Sequence, residues 1–220
     1  MQFRQTVVFL AVAAATVPAF ADSFIGAVSV DGKTVANTGF PNAVIGSDEA
    51  QSTVISHEKS NAFLLDKASD NLVIKGRDIA VSGLAGPTVT NGAKLVMGDD
   101  KTQSVSVNAK GNWGIWSFKS DTIVNARTLS VTMGPAAYWG LLAQNNTQQE
   151  TAPENRARLI VNAGKTVVSG GLIGLAAYSN GYLEVNGDLE VNAPTAINAR
   201  GYSTVNINQN DPEGKHTVVL

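Results

Sequence analysis

The sequence predicts an all-β chain wound as a parallel β-helix, a solenoid of stacked coils, and three observations carry that reading. A fixed order of motifs recurs through the chain. Between the motifs lie short strands in which Val, Leu or Ile alternate with small polar residues. The third observation is composition: 21 glycines, no cysteine and only 15% charged residues in 220, which favours strands and tight turns over amphipathic helices. With no cysteine, disulfides, thiol nucleophiles and cysteine-ligated metals are excluded. A formal charge of −2 with scattered Lys and Arg offers no basic surface for nucleic acid or anionic lipid.

In chain order, residues 1–21 read as a secretory signal peptide. Arg4 lies in a short leader, an apolar run spans Thr6 to Val17, and Ala19-Phe20-Ala21 is a small-x-small cleavage site before Asp22. The apolar run is shorter than the roughly 20 residues that cross a bilayer. Residues 22–70 fit the repeat poorly. Phe24 to Val30 alternates, Asp31-Gly32 is a hairpin turn before Lys33-Thr34-Val35, and Thr53-Val54-Ile55 and Ala62-Phe63-Leu64-Leu65 form strand-like runs. A solenoid needs an atypical terminal unit to block its open edge, so 22–70 is expected to be an N-terminal cap.

The coils are expected over 71–220. Leu72 to Val81 and Leu95-Val96-Met97 with Val105-Ser106-Val107-Asn108 give the first units. From Trp113 the chain breaks at Trp113-Gly114-Ile115, Trp139-Gly140-Leu141, Ile173-Gly174-Leu175 and Thr195-Ala196-Ile197, at steps of 26, 34 and 22 residues. The long step contains Gln144 to Arg156, a polar stretch with Pro153 and no apolar periodicity. After each break a strand ends in valine-asparagine or its equivalent: Val124-Asn125, Val161-Asn162, Val185-Asn186 and Val205-Asn206. Units this short cannot bury a face alone, but stacked coil on coil they pair in parallel and build one interior column. Leucine-rich repeats share the length, yet their Leu-x-x-Leu-x-Leu frame is absent. A β-sandwich is the alternative, since its strands recur every 8 to 12 residues or so, and antiparallel pairing would mark it.

Several residue sets invite a chemical reading. Asn108, Asn125, Asn162, Asn186, Asn192, Asn206 and Asn208 each follow an apolar strand residue. Stacked amides form hydrogen-bonded ladders and Asn suits left-handed turns, so a structural ladder is expected over a ligand track. Glu184 and Glu190 resemble a glycosidase pair. Each lies between inward apolar residues, however, and a turn at Asn186-Gly187-Asp188 should place them on different faces. Asp66, Asp70 and Asp99-Asp100 lie in turn-like contexts. His57 and His216 have no triad or metal-ligand spacing around them, and the GGxGxD motif of calcium-binding rolls is missing. No catalytic, cofactor or metal residue is therefore expected, nor any cofactor. Trp113, Trp116, Tyr138, Trp139, Tyr178, Tyr182 and Tyr202 could line one outer face, but interior stacking or an aromatic lid over a turn is expected ahead of that. The expected partner-contact loop is the insertion, through Gln144, Asn145, Asn146, Gln148, Gln149, Glu150, Glu154 and Arg156, because recognition concentrates on loops that project from regular scaffolds.

With the leader, WGLLA, ARLIVNAG, IGLAAYSNGYLEVNGDLEVNAP and TAINARGYSTVNI on the page, the chain from about Leu72 to Leu220 resembles the passenger of an autotransporter, the type V secretion family of Gram-negative bacteria. The resemblance is to an adhesin-like, pertactin-like class rather than to one protein. It implies a right-handed β-helix, carried to the cell surface by a C-terminal membrane β-barrel and engaged with a host or cell-surface protein or glycan. No barrel follows here, so the sequence is expected to be a fragment of a longer chain. The expected function is non-enzymatic adhesion or surface contact. A β-helical polysaccharide lyase or glycoside hydrolase is the alternative, and convergence of Asp121, Arg127, Arg158 and Glu184 in one groove would favour it.

Overall fold

The computed structural model describes residues 22–36, 39–147, 149–152, 155–209, 211 and 213–220. The expected signal peptide lies outside the described residues. From Phe24 onward the described chain is strand and turn, and the strands stack as parallel coils in a β-solenoid of about seven turns.

An antiparallel N-terminal piece comprises β1 (Phe24–Ile25), β2 (Ala27–Val30) and β3 (Lys33–Thr34). The first three coils are β4 (Ala43–Ile45), β5 (Ser52–Ser56) and β6 (Asn61–Leu65); β7 (Asn71–Ile74), β8 (Asp78–Gly83) and β9 (Ala85–Thr90); β10 (Lys94–Met97), β11 (Ser104–Ala109) and β12 (Trp113–Phe118). In the next three, two strands fuse into one long strand that runs through a corner. These are β13 (Asp121–Met133) with β14 (Trp139–Gln144), β15 (Ala157–Ser169) with β16 (Ile173–Tyr178), and β17 (Gly181–Asn192) with β18 (Thr195–Arg200). The last coil holds β19 (Thr204–Ile207) and β20 (Val218–Val219).

Each coil therefore presents three faces. The third face is a seven-stranded sheet ordered β1-β6-β9-β12-β14-β16-β18. The first and second faces join in a 13-stranded sheet because β13, β15 and β17 cross their shared corner unbroken. Apart from β1 on β6, β2 on β5 and β2 on β3, every described pairing is parallel, which rules out the sandwich.

Register turns the alternating pattern into columns. On the first face, Leu72, Leu95, Thr122, Leu159, Leu183 and Val205 stack in one line, and Ile45, Ile74, Met97, Val124, Val161, Val185 and Ile207 in the next. On the second, Ile55, Val81, Val107, Val131, Val168 and Val191 do the same. Nearly all these side chains are fully buried and belong to one core. The valines and isoleucines satisfy strand propensity and core packing at once, because a β-branched chain fits a pleated surface stacked on its own kind.

The expected cap over 22–70 divides. Antiparallel pairing is confined to Phe24–Thr34 and its partner strands, while Ala43–Leu65 already pairs in parallel with the coil above. Ala43 to Leu65 escaped the repeat reading because no strand there ends in Val-Asn; Ala43-Val44-Ile45-Gly46 instead matches Leu95-Val96-Met97-Gly98 through a glycine turn, with φ of 81° and 76° at the two glycines. The true cap works by extending a column: Val28 pairs with Ile55 and is 3% exposed. It thereby covers the first coil's edge.

Two columns contain a mismatch of the same kind: on the first face Thr122, between Leu95 and Leu159, is fully buried with its hydroxyl unpartnered among the described residues, and Thr166 repeats it on the second. Thr166 lies between Leu129 and Leu189, is fully buried, and its hydroxyl has no hydrogen-bond partner among the described residues. An unsatisfied buried hydroxyl costs about 1–3 kcal/mol. Thr166→Val should therefore raise the unfolding free energy by about 1–2 kcal/mol in urea titration; an unchanged or lowered midpoint would contradict this account.

Candidate functional site: the outer side of the first face

The outward residues of the first-face parts of β13, β15 and β17 form an ordered array, polar except for Ile123 and Ile160. Since Thr122, Val124, Leu159, Val161, Leu183 and Val185 point inward and are buried, the alternate residues point out. Register lines them up across coils. Asp121, Arg158, Tyr182 and Thr204 form one row, Ile123, Ile160, Glu184 and Asn206 the next, and Asn125, Asn162 and Asn186 a third.

The third row is an amide ladder. Asn186 Nδ2 donates to Asn162 Oδ1 at 3.0 Å, Asn162 Nδ2 to Asn125 Oδ1 at 3.0 Å, and Asn125 Nδ2 to the Gly98 carbonyl at 3.4 Å. The structural ladder expected of the asparagines thus holds for three of seven. Asn208 is instead a left-handed turn residue, with φ of 52°, whose Oδ1 accepts the Gly187 amide at 2.7 Å. Asn108, Asn192 and Asn206 face Ser82 and Thr132, Ser169, and Glu184 in register.

Beside the ladder, Glu184 accepts from the Tyr182 hydroxyl at 2.5 Å and from Asn186 Nδ2 at 2.9 Å. Burial, then the hydrogen bond to the Glu184 carboxylate, push the Tyr182 phenol above its ordinary range, so it stays a donor. Glu190 belongs to the second face, where Asn192 donates to it at 2.9 Å and Lys165 pairs with it at 3.3 Å. The Asn192 hydrogen bond, followed by Lys165, holds its carboxyl below the usual range. The two glutamates are separated by the corner at Gly187, where φ is 101°, so they do not converge as a pair.

Asp121, Arg158 and Glu184 do share one outer face. Arg127 lies just past the corner, lining a shallow depression with Asp99, Asp100, Gln103, Asn125 and Asn162. A second depression, at the opposite edge of the face, is lined by Lys119, Ser120, Asp121, Asn145, Asn155 and Arg156. Asp121 and Glu184 stand two coils and two residues apart, so their backbones are about 12 Å from each other at 4.8 Å per coil and 3.3 Å per residue.

The insertion is tied down rather than loose. Its anchor is Asn180, which sequence reasoning missed: fully buried and left-handed, with φ of 68°. Its Oδ1 accepts the Thr151 amide at 3.0 Å and its Nδ2 donates to the Thr147 and Gln149 carbonyls at 3.0 and 2.7 Å. Of the expected contact residues, Gln144 ends β14, and Asn145 is 7% exposed with its Nδ2 on the Asn155 carbonyl at 3.1 Å. Arg156 reaches the Thr151 carbonyl and Thr204 Oγ1 at 3.4 and 3.3 Å. These three brace the loop, while Asn146, Gln149 and Glu150 are exposed. Gln148 and Glu154 lie outside the described residues.

The aromatic set splits. Trp113, Trp116, Trp139 and Tyr178 pack with Phe118, Leu142 and Ala176 as a second apolar cluster on the outer side of the third face. Tyr138 sits against Trp139 with ring centroids 5.2 Å apart. Tyr182 belongs to the first face and Tyr202 is an exposed turn residue with φ of 59°. The other suspected residues are structural. Asp70 is buried and accepts the Asp66 and Lys67 amides at 3.0 and 3.1 Å, and Asp66 accepts from Asn91 at 2.8 Å. The His57 ring packs on Phe24 at 5.9 Å, and His216 lies 3.6 Å from Asp188. Among the described residues no group of three or more His, Asp or Glu is placed to hold a metal.

No family model matches the chain, and neither the curated proteins nor the solved structures yield a match.

Proposed function

We propose that the protein is an exported β-solenoid passenger of the autotransporter type. In this reading it is displayed at the surface of a Gram-negative bacterium by a C-terminal barrel, or released from it, and makes adhesive contact through the outer side of the first face and the 144–156 loop. The observation that supports this best is the ordered face itself. Side chains from successive coils fall in straight rows because parallel register fixes them, and a rigid array spends little entropy on meeting a partner. The loop beside it is braced by Asn180 and adds exposed Asn146, Gln149 and Glu150.

Beads coated with residues 22–220 test the reading. They should adhere to epithelial cells, and a double reversal on the face, Arg158→Glu with Glu184→Lys, or a Gly-Ser replacement of residues 146–152, should remove most adherence. Beads that adhere no better than albumin-coated ones, or adhere equally with both changes, would overturn it. Export has its own check: the chain expressed with its leader should yield a mature N-terminus at Asp22 by terminal sequencing, and an intact Met1 would refute the leader.

Polysaccharide cleavage is the second reading, because Asp121, Arg158 and Glu184 share the face. New reducing ends or unsaturated products from a polysaccharide incubated with the protein would favour it over adhesion.

A further inference from the structure

We infer that the amide ladder is the floor of a glycan site, and that its ligand is a neutral, hydroxyl- or acetamido-bearing polysaccharide lying along the solenoid axis. This inference rests on the adhesive reading of the first face and names the ligand class.

The ladder leaves hydrogen-bonding capacity facing outward. An Asn side chain carries two N–H donors and an oxygen with two lone pairs. Asn162 spends one N–H on Asn125 and one lone pair on Asn186. Its remaining donor and acceptor are exposed with the residue. Asn125 likewise keeps one N–H beyond its bond to Gly98. Asn186 keeps only acceptor capacity, because its two N–H groups go to Asn162 and Glu184. The result is a row of outward amides one coil apart, about 4.8 Å along the axis, of which Asn125 and Asn162 can both donate and accept. Sugar hydroxyls and acetamido groups both donate and accept, so they can meet both capacities at Asn125 and Asn162.

Competing ligands fit less well. An extended peptide repeats its outward amides every two residues, about 6.6 Å, out of step with the row. It also has no free edge to join here, because β13 and β15 are paired on both sides. A polyanion in the depression meets Asp99 and Asp100 against Arg127, with Glu184 beside the ladder, while Lys165 and Lys101 are paired with Glu190 and Asp48. Arg127 is exposed and makes no ion pair within 4.0 Å among the described residues. With Gln103 it forms the wall against which a neutral sugar's hydroxyls would bond.

The test uses residues 22–220 and three probes in titration calorimetry: chitohexaose, cellohexaose and oligogalacturonate. Binding of at least one neutral hexasaccharide is expected, weakened at least tenfold by Asn162→Leu and by Arg127→Ala, and unchanged by Glu190→Gln on the second face. Arg127→Ala guards against misfolding of the ladder variant, since it removes an exposed side chain. Binding of oligogalacturonate alone, or neutral binding indifferent to both variants, overturns the site. If no hexasaccharide binds but the face reversal still abolishes bead adherence, the glycan inference fails and the adhesive reading stands. If adherence is also insensitive to the face, both fail.

Discussion

Gly114→Val should leave the chain without a cooperative fold, and even Gly114→Ala should cost about 3 kcal/mol or more. Gly86, Gly114, Gly140 and Gly174 stack where the second face turns into the third, and each backbone carbonyl sits where the previous coil's side chain would go. A Cβ on Gly86 would lie 1.8 Å from the Gly114 oxygen, and one on Gly114 would lie 2.4 Å from both the Gly140 oxygen and Val131 Cγ1. Gly140 and Gly174 repeat the clash at 2.5 and 3.0 Å. No rotamer change relieves a contact with backbone, and shifting one coil strains the pairing of β12 with β14 and β9. Gly111 is the internal control. Its nearest neighbour would be the end of the Leu84 side chain at 3.1 Å, which can swing away, so Gly111→Ala should cost under about 1 kcal/mol. Thermal unfolding followed by circular dichroism separates the two; a Gly114→Val protein that melts cooperatively near the parent would remove this account of the corner.

That corner explains why part of the architecture was legible. Trp113-Gly114-Ile115, Trp139-Gly140-Leu141 and Ile173-Gly174-Leu175 stood out as breaks because one small residue per coil is sterically required, and Thr195-Ala196-Ile197 ends the column with an alanine. Three of the Val-Asn endings, at Asn125, Asn162 and Asn186, marked the first-face corner for a similar reason: valine fills the column and asparagine continues the ladder. Val205-Asn206 does not match them, since Val205 pairs with Leu183 and Asn206 with Glu184, two residues before the corner. Where the corner is made differently the reading weakened. Ala43–Leu65 uses Gly46 and carries no asparagine at that position, so a true coil passed for part of the cap.

The candidate site was half legible. Aligning Asn125, Asn162 and Asn186 also aligns Asp121, Arg158 and Tyr182 four residues earlier, so the rows were present in the sequence once the repeat was known. What the repeat could not give was the neighbour around the corner. The Asp99–Gln103 turn meets the ladder because it makes the same corner one coil below, where the Arg127 amide donates to the Thr102 carbonyl at 2.9 Å, and that turn shares no motif with the fused corners above it. The aromatics show the opposite error: grouped by type they suggested one surface, but Tyr182 and Tyr202 fall in different positions of the repeat from the tryptophans, and register sends them elsewhere.

Asn180 was invisible for a physical reason, and it carries the second large expectation. Ser179-Asn180-Gly181 reads only as a turn, and nothing local says that its amide satisfies three backbone groups about 30 residues upstream. With each net hydrogen bond worth about 1 kcal/mol, and an unmet buried group costing more, Asn180→Gly should favour opening of the 145–156 segment by about 2–3 kcal/mol. Glycine keeps the left-handed backbone, so the loss belongs to the side chain rather than to strain. Under conditions where closure outpaces cleavage, the change corresponds to roughly 30- to 150-fold faster proteolysis at Glu150. Asn180→Asp, which keeps the acceptor for Thr151 but sets a buried carboxylate oxygen against the Thr147 and Gln149 carbonyls, should open the segment at least as much as glycine does. Peptide mapping after brief digestion locates the cuts, and cleavage of the glycine variant at the parental rate would show that the loop is held by something other than Asn180. The same variant bears on contact with a partner. A loop released from its brace must be ordered on binding, at about 1–2 kcal/mol per residue fixed, so adherence of beads carrying Asn180→Gly should drop wherever the loop participates, while hexasaccharide binding over the ladder should not change.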